Sequence, residues 1–219
     1  MFLQSKSLFS KAIDGFKAII HRNSLILKAT FLAFFIIMAV AIVAAIVVFS
    51  FALELSDQIS SFTGTMLGYG DIPEPFTQSF FSLIFLNNIG HFWNPIRMIV
   101  WIPFVGPLLL GFEVVLNSGL VGVIAVMAGA TKGIAYPILG LVPHGIIELP
   151  AFLIQISAIV IWQVTITDTI IEKLRGRTLD TSKMQLALRD ALILAVISVV
   201  LLFVAALIET YVTPFLLGM

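Results

Sequence analysis

The sequence predicts an all-α, polytopic membrane helix bundle of about five transmembrane spans, with broken or re-entrant segments and an N-terminal amphipathic helix. Three observations carry this. Apolar residues make up 60% of the 219-residue chain and charged residues only 11%, with a mean hydropathy of +1.12; soluble domains carry roughly 25% charged residues. Several uncharged stretches approach or exceed the ~20 residues that cross a ~30 Å hydrocarbon core. Prolines and glycines interrupt two of the longer apolar regions. The length suits one membrane domain over residues 1–219 and leaves no room for a sizeable soluble one.

Net charge is zero, but its distribution is informative. Met1 to Lys28 carries five basic residues against the single acid Asp14. Glu172 to Asp190 carries Lys173, Arg175, Arg177, Lys183 and Arg189, whereas Glu54 to Glu74 carries four acids and no base. The positive-inside rule makes the first two regions cytoplasmic and the third external. The first apolar run is too long for a secretory signal and no small-residue cleavage site follows it. The chain has no cysteine, which excludes disulfides, thiol catalysis and thiolate metal sites.

Taken in order, residues 1–24 are expected to form a cytoplasmic amphipathic helix. Leu8, Phe9, Ile13, Phe16, Ile19 and Ile20 recur near helical spacing, with Lys6, Lys11, Asp14 and Lys17 between them. Ala29 to Leu53 is 25 residues without a charge and is the clearest span. Residues 54–75, with Gly64, Gly68, Gly70, Pro73 and Pro75, read as an external loop. Phe76 to Gly90 is a second span, short or tilted, with Asn87 and Asn88 near its inner end. Arg97 fits the cytoplasmic side.

Met98 to Thr131 holds 34 residues and one charge, Glu113. One straight helix of that length would reach ~50 Å, so a short interfacial or re-entrant piece up to Gly106 is expected, then a span from Leu108 to Met127. Ile134 to Val142 is again short and ends at Pro143, and Ile146 to about Ile170 crosses. The two arrangements hint at an internal repeat of the kind transporters show. Residues 172–190 form a basic cytoplasmic loop or short helix, and Met184 to Ile208 is the last span, ending at Glu209. This places the N-terminus in the cytoplasm and the C-terminus outside, with Lys132 the one basic residue on the wrong side. A six-span alternative makes Met98 to Phe112 a span of its own.

Asn87, Asn88, Glu113, Asn117, His144, Glu148 and Glu209 form the candidate polar core, with Gln155, Gln163 and Asp168 also at membrane depth. Ionisable groups there are costly and belong in the bundle interior. Glu113 and Asn117 share a helix face, as do His144 and Glu148 if their helix runs across Gly145. Three readings of the carboxylates stand open. His144 and carboxylates could ligate a metal, although no HExxH is present and only one intramembrane histidine is counted. Glu113 and Glu148 could line a proton or ion path. The preferred reading is that they cap broken helix ends, with Glu148 in the first turn of a helix starting near Gly145. No metal or cofactor is assigned. Catalytic motifs such as GxSxG, HExxH, paired aspartates or a phosphate-binding loop are missing, so no catalytic residue is expected and the chain reads as no enzyme. Gly119, Gly122, Ala125 and Gly129 allow close helix packing and point to self-association.

PHGIIELPA (Pro143 to Ala151) resembles the hallmark of the stage II sporulation protein M family, also catalogued as a DUF95-type membrane family. LNNIG (Leu86 to Gly90) is similar to that family's asparagine-bearing helix end, and AALIETYVTP (Ala205 to Pro214) to its C-terminal helix. LNSGLVG (Leu116 to Gly122) resembles its Asn-Gly step, with Ser118 inserted. The resemblance implies a multi-spanning membrane protein. The family's namesake is a membrane component of a complex with peptidoglycan-degrading enzymes, thought to anchor and localise them without being a hydrolase. The resemblance supplies no catalytic residues; Asn87, His144, Glu148 and Glu209 fall on its recurrent positions. The expected role is therefore a non-catalytic scaffold in the cell membrane, a homo-oligomer in contact with lipid and with other membrane or cell-envelope proteins, with no nucleic acid. The alternative is a transporter or channel through Glu148 and Glu113.

Overall fold

The computed structural model describes residues 8–52, 73–178 and 180–219, and every regular element among them is helical. Helix α1 (Leu8–Arg22) ends on the basic pair His21 and Arg22, favourable at the negative end of the helix dipole. Of its apolar residues Ile19 is buried on the bundle, whereas Ile13 and Phe16 are exposed along with Lys11, Asp14 and Lys17. After Asn23 the chain continues as α2 (Ser24–Ala52). Little of α2 is buried inside the protein, which is the expected state of an apolar helix facing lipid. The external loop expected over 54–75 lies, up to residue 72, outside the described residues.

Helix α3 (Gln78–Asn88) starts on a Thr77 cap, whose hydroxyl accepts from the Phe80 amide at 3.2 Å. With 11 residues it reaches only ~16 Å, about half of the core thickness. The chain then descends through two 3-10 turns, Gly90–Phe92 and Arg97–Trp101. Asn88 sits beside Glu148, and Val100 beside Gln163, about 22 Å further along the neighbouring helix by its rise. The second expected span, Phe76 to Gly90, is thus only a short helix, and the chain continues through irregular turns to Trp101.

Reversal at Pro103 to Gly106 starts α4 (Gly106–Lys132), as the cluster of breakers predicted. Gly106 is required by close approach: a Cβ there would collide with the Val100 carbonyl and the Gln163 amide. Gly122 packs on α2, where a Cβ would lie 3.3 Å from Ile42 Cα, so at least this member of the small-residue stripe is used within the chain. At the far end of α4, Lys132 bonds the Tyr136 hydroxyl at 3.0 Å.

The next element corrects an expectation. Helix α5 (Ala135–Leu174) is continuous for 40 residues and passes through both Pro143 and Pro150. Pro143 does not end a short segment, so the two halves do not repeat one arrangement, and Glu148 lies mid-helix instead of capping a helix start. Each proline removes one N–H donor and crowds the carbonyl four residues back. Packing against neighbouring helices makes this tolerable in a membrane helix.

The connection to α6 (Thr181–Leu207) is shorter than the loop expected over 172–190. It runs from Arg175 to Asp180, where the Asp180 side chain caps α6 through the Lys183 amide at 3.0 Å. Lys183, Arg189 and Asp190 are helical. A π-helical turn (Ile208–Val212) and a short α7 (Thr213–Leu216) finish the fold.

Helices α5 and α6 form the most extensive pair, and α2 lies against α4. The α5–α6 seam is rich in small buried residues, including Ala158, Ala191, Ala195 and Ser198, which let the backbones approach. A second apolar cluster joins Phe34 of α2, Leu110 and Val114 of α4, and Leu153 and Ile159 of α5. Four stretches are long and apolar enough to cross a membrane: Ser24–Val48, Gly106–Gly129, Ala135–Leu174 and Thr181–Leu216. The broken segment packs beside α5 and is not among these four.

Gly106→Ala should destabilise the protein by about 1–3 kcal/mol, the usual cost of overpacking. Gly119→Ala, where a Cβ meets nothing within 4 Å, should not lower the melting temperature. Thermal melts of both variants in one detergent check the contrast.

Candidate functional site: a polar cavity in the bundle

Breaking a helix at membrane depth frees carbonyls that no water can satisfy, so the protein must supply donors. It does so with side chains. Arg97 donates to the Asn87 carbonyl. Gln155 of α5 reaches the Asn88 carbonyl at 3.5 Å. Trp101 donates to His91 at 2.8 Å, Trp162 to Trp101 at 3.1 Å, and Gln163 to Val100. Trp93 closes the series on Leu86 at 2.7 Å. The buried glutamines of α5 thus hold the broken segment.

An ion network grows from the same place. The Arg97 guanidinium pairs with the Glu113 carboxylate of α4. The other Glu113 oxygen lies 2.6 Å from His91 Nε2, and His91 Nδ1 lies 3.2 Å from Gln155 Oε1. Asn117 donates to the Glu113 backbone carbonyl at 3.0 Å and not to its carboxylate, which Arg97 and His91 take. Gly90 leaves room for the Arg97 side chain: a Cβ at that position would overlap the guanidinium.

This network corrects two readings. His91 is fully buried, so His144 is not the only histidine at membrane depth. Arg97 points into the bundle and does not mark a cytoplasmic surface. Their neighbours in sequence carry the one available signal, since both closely follow the asparagine-bearing LNNIG stretch.

On the other side of the cavity, His144 and Glu148 face each other one turn apart on α5, with Nε2 and Oε2 3.6 Å apart. Asn88 Nδ2 donates to Glu148 Oε1 at 3.0 Å, and His144 Nδ1 lies 3.4 Å from the Thr213 hydroxyl. Glu209 joins them from the π turn, and donor atoms of the three side chains all lie within 4.8 Å of one another. Single π turns inside α-helices frequently occur at functional sites. Here the local cause is legible: Pro214 cannot donate to the carbonyl of Thr210, and that carbonyl accepts instead from the Phe76 amide at 3.3 Å. The C-terminal Thr-Pro step therefore ties the start of α3 beside the site.

The cavity measures about 650 Å³. Asn87, Asn88, Asn117, His144, Glu148 and Glu209 all line it, so six of the seven candidate residues converge on one space. Glu113 reaches it through its partner Arg97. Asp168 lies apart, exposed near the far end of α5.

A third polar cluster went unread in the sequence. Asp190, only 1% exposed, accepts two bonds from Arg22, at 2.6 and 2.7 Å, and one from Asn23 at 2.7 Å. The hydrogen bond to Asp190 raises the Arg22 pKa above its usual value, so this cation stays charged. The α1–α2 junction is thereby fixed to α6.

In a double-mutant cycle, Arg97→Ala and Glu113→Gln should show a coupling of about 1–3 kcal/mol, because the two side chains share one network. Additive effects on unfolding would remove the pair from the account.

The family model described as Stage II sporulation protein M matches residues 30–214, and the chain belongs to that family. No curated protein and no solved structure matches the chain.

Proposed function

We propose that this member of the stage II sporulation protein M family is a non-catalytic scaffold or anchor in the cell membrane, crossing it several times and positioning partner proteins. Its partners in this reading are lipid, further copies of itself and other membrane or cell-envelope proteins, and not nucleic acid. The observation that carries the reading is how the buried polar groups are spent. Arg97, Glu113, His91 and Gln155 bind one another and the broken segment, which rigidifies the bundle and leaves its outward face to lipid and neighbours. Orientation follows the basic residues. Arg22 and Asp190 bring the basic N-terminal helix to the same end of the bundle as the basic α5–α6 connection, in keeping with a cytoplasmic N-terminus and an external C-terminus.

A second reading, an ion path, is favoured by Glu148 and Glu209 facing the cavity beside His144. Glu113, committed to Arg97 and His91, is a poorer relay than its sequence position suggested.

Crosslinked co-purification from native membranes should recover a stoichiometric partner with wild type and with Glu148→Gln alike, since the amide oxygen still accepts from Asn88. Recovery of the protein alone would overturn the scaffold. In liposomes, proton flux that Glu148→Gln abolishes in a folded protein would instead establish the path, and retained flux would remove Glu148 from it.

A further inference from the structure

The His144, Glu148 and Glu209 cluster has the donor set and the preparation of a cation site. Two carboxylates and an imidazole converge from two elements, α5 and the π turn. Their donor atoms, all within 4.8 Å of one another, need only a small side-chain rotation to reach one centre, because ligands at ~2.0–2.2 Å from an ion are separated by at most ~4.4 Å. The surrounding contacts orient these ligands while leaving the inward atoms available. Thr213 engages His144 through Nδ1, and Nε2 faces Glu148. Asn88 engages Glu148 through Oε1, and Oε2 is the oxygen turned to His144. Holding the far atom of each ligand in this way is how outer contacts usually set up a metal site.

Glu209 supplies an independent observation. No hydrogen bond reaches its carboxylate among the described residues, yet it lines the cavity next to a second carboxylate. Two such groups at membrane depth are costly while both are ionised, and a cation between them would offset that cost. The neighbouring polar clusters do not provide one, because Arg97 is bound to Glu113 and Arg22 to Asp190.

We propose that His144, Glu148 and Glu209 bind one divalent first-row transition-metal ion, with further coordination positions open to the cavity. One imidazole and two carboxylates suit zinc, manganese or ferrous iron better than calcium or a soft monovalent ion. The bound ion fastens the C-terminal π turn to the middle of α5. This goes beyond both functional readings, since a scaffold and a path are each compatible with such a fastening.

The test uses the full chain without a tag, reconstituted in phospholipid nanodiscs and stripped with a chelator. Co2+ is titrated while its visible d–d bands are followed, and Zn2+ is then added as competitor. One equivalent of Co2+ with ligand-field bands, displaced by Zn2+, is the expected result for wild type. Glu209→Gln should bind at least about tenfold more weakly, since losing even an outer contact of a metal site costs that much. Having no hydrogen bond to lose, this variant should melt like the stripped wild type. Asp168→Asn, on the same helix but away from the cavity, should bind as wild type does. Absence of stoichiometric bands in wild type overturns the proposal without reference to any variant. So does equal Co2+ affinity in Glu209→Gln.

Discussion

A backbone carbonyl at membrane depth must find a donor within the protein, and most of the interior chemistry follows from that requirement. The chain between Asn88 and Gly106 is not a regular helix, so its carbonyls would be stranded in hydrocarbon, each at a cost of several kcal/mol. Gln155, Gln163, Trp101, Trp162 and Arg97 answer them one by one. These residues would be poor choices for an ordinary apolar span. Gln155, Trp162 and Gln163 make α5 the post on which the broken segment hangs.

The same constraint explains why one apparent break is real and another is not. Pro143 and Pro150 each remove one donor from α5, a local loss that a well-packed helix absorbs. Between Ile89 and Gly106 the disturbance is collective. Gly90, Pro95, Pro103 and Gly106 occur within a short distance, and Gly106 must approach the Val100 carbonyl closely for the chain to turn back. At the C-terminus, Pro214 leaves the Thr210 carbonyl free, and the amide of Phe76 takes it. A defect in one helix becomes the attachment point of another.

Charge is handled by the same economy of partners. Glu113 neutralises Arg97 and contacts His91, while Asp190 accepts from Arg22 and Asn23. Pairs of this kind seldom add much net stability over apolar packing, but leaving one member alone is expensive. They therefore specify which elements meet: the broken segment with α4 and α5, and the N-terminal junction with α6. His144, Glu148 and Glu209 differ from these clusters because no Lys or Arg among the described residues pairs with them. That difference makes them the part of the interior open to an outside ligand.

The sequence by itself determined the all-helical membrane class, the helix before the first span, the break before Gly106 and six polar residues that line the cavity. Hydropathy, helical spacing and the rarity of polar groups in apolar runs are local properties, so they can be read along the chain. Only the tertiary structure decided that α5 runs unbroken through Pro143, that His91 and Arg97 belong inside, and that Asp190 is a buried anchor and not a loop residue. Whether a proline breaks a helix depends on what packs beside it, and whether a charge is buried depends on a partner. Asn88 and Glu148 are 60 residues apart, and Arg22 and Asp190 are 168 apart. Pairing over such separations has no periodicity in the sequence, because it is set by how whole helices pack.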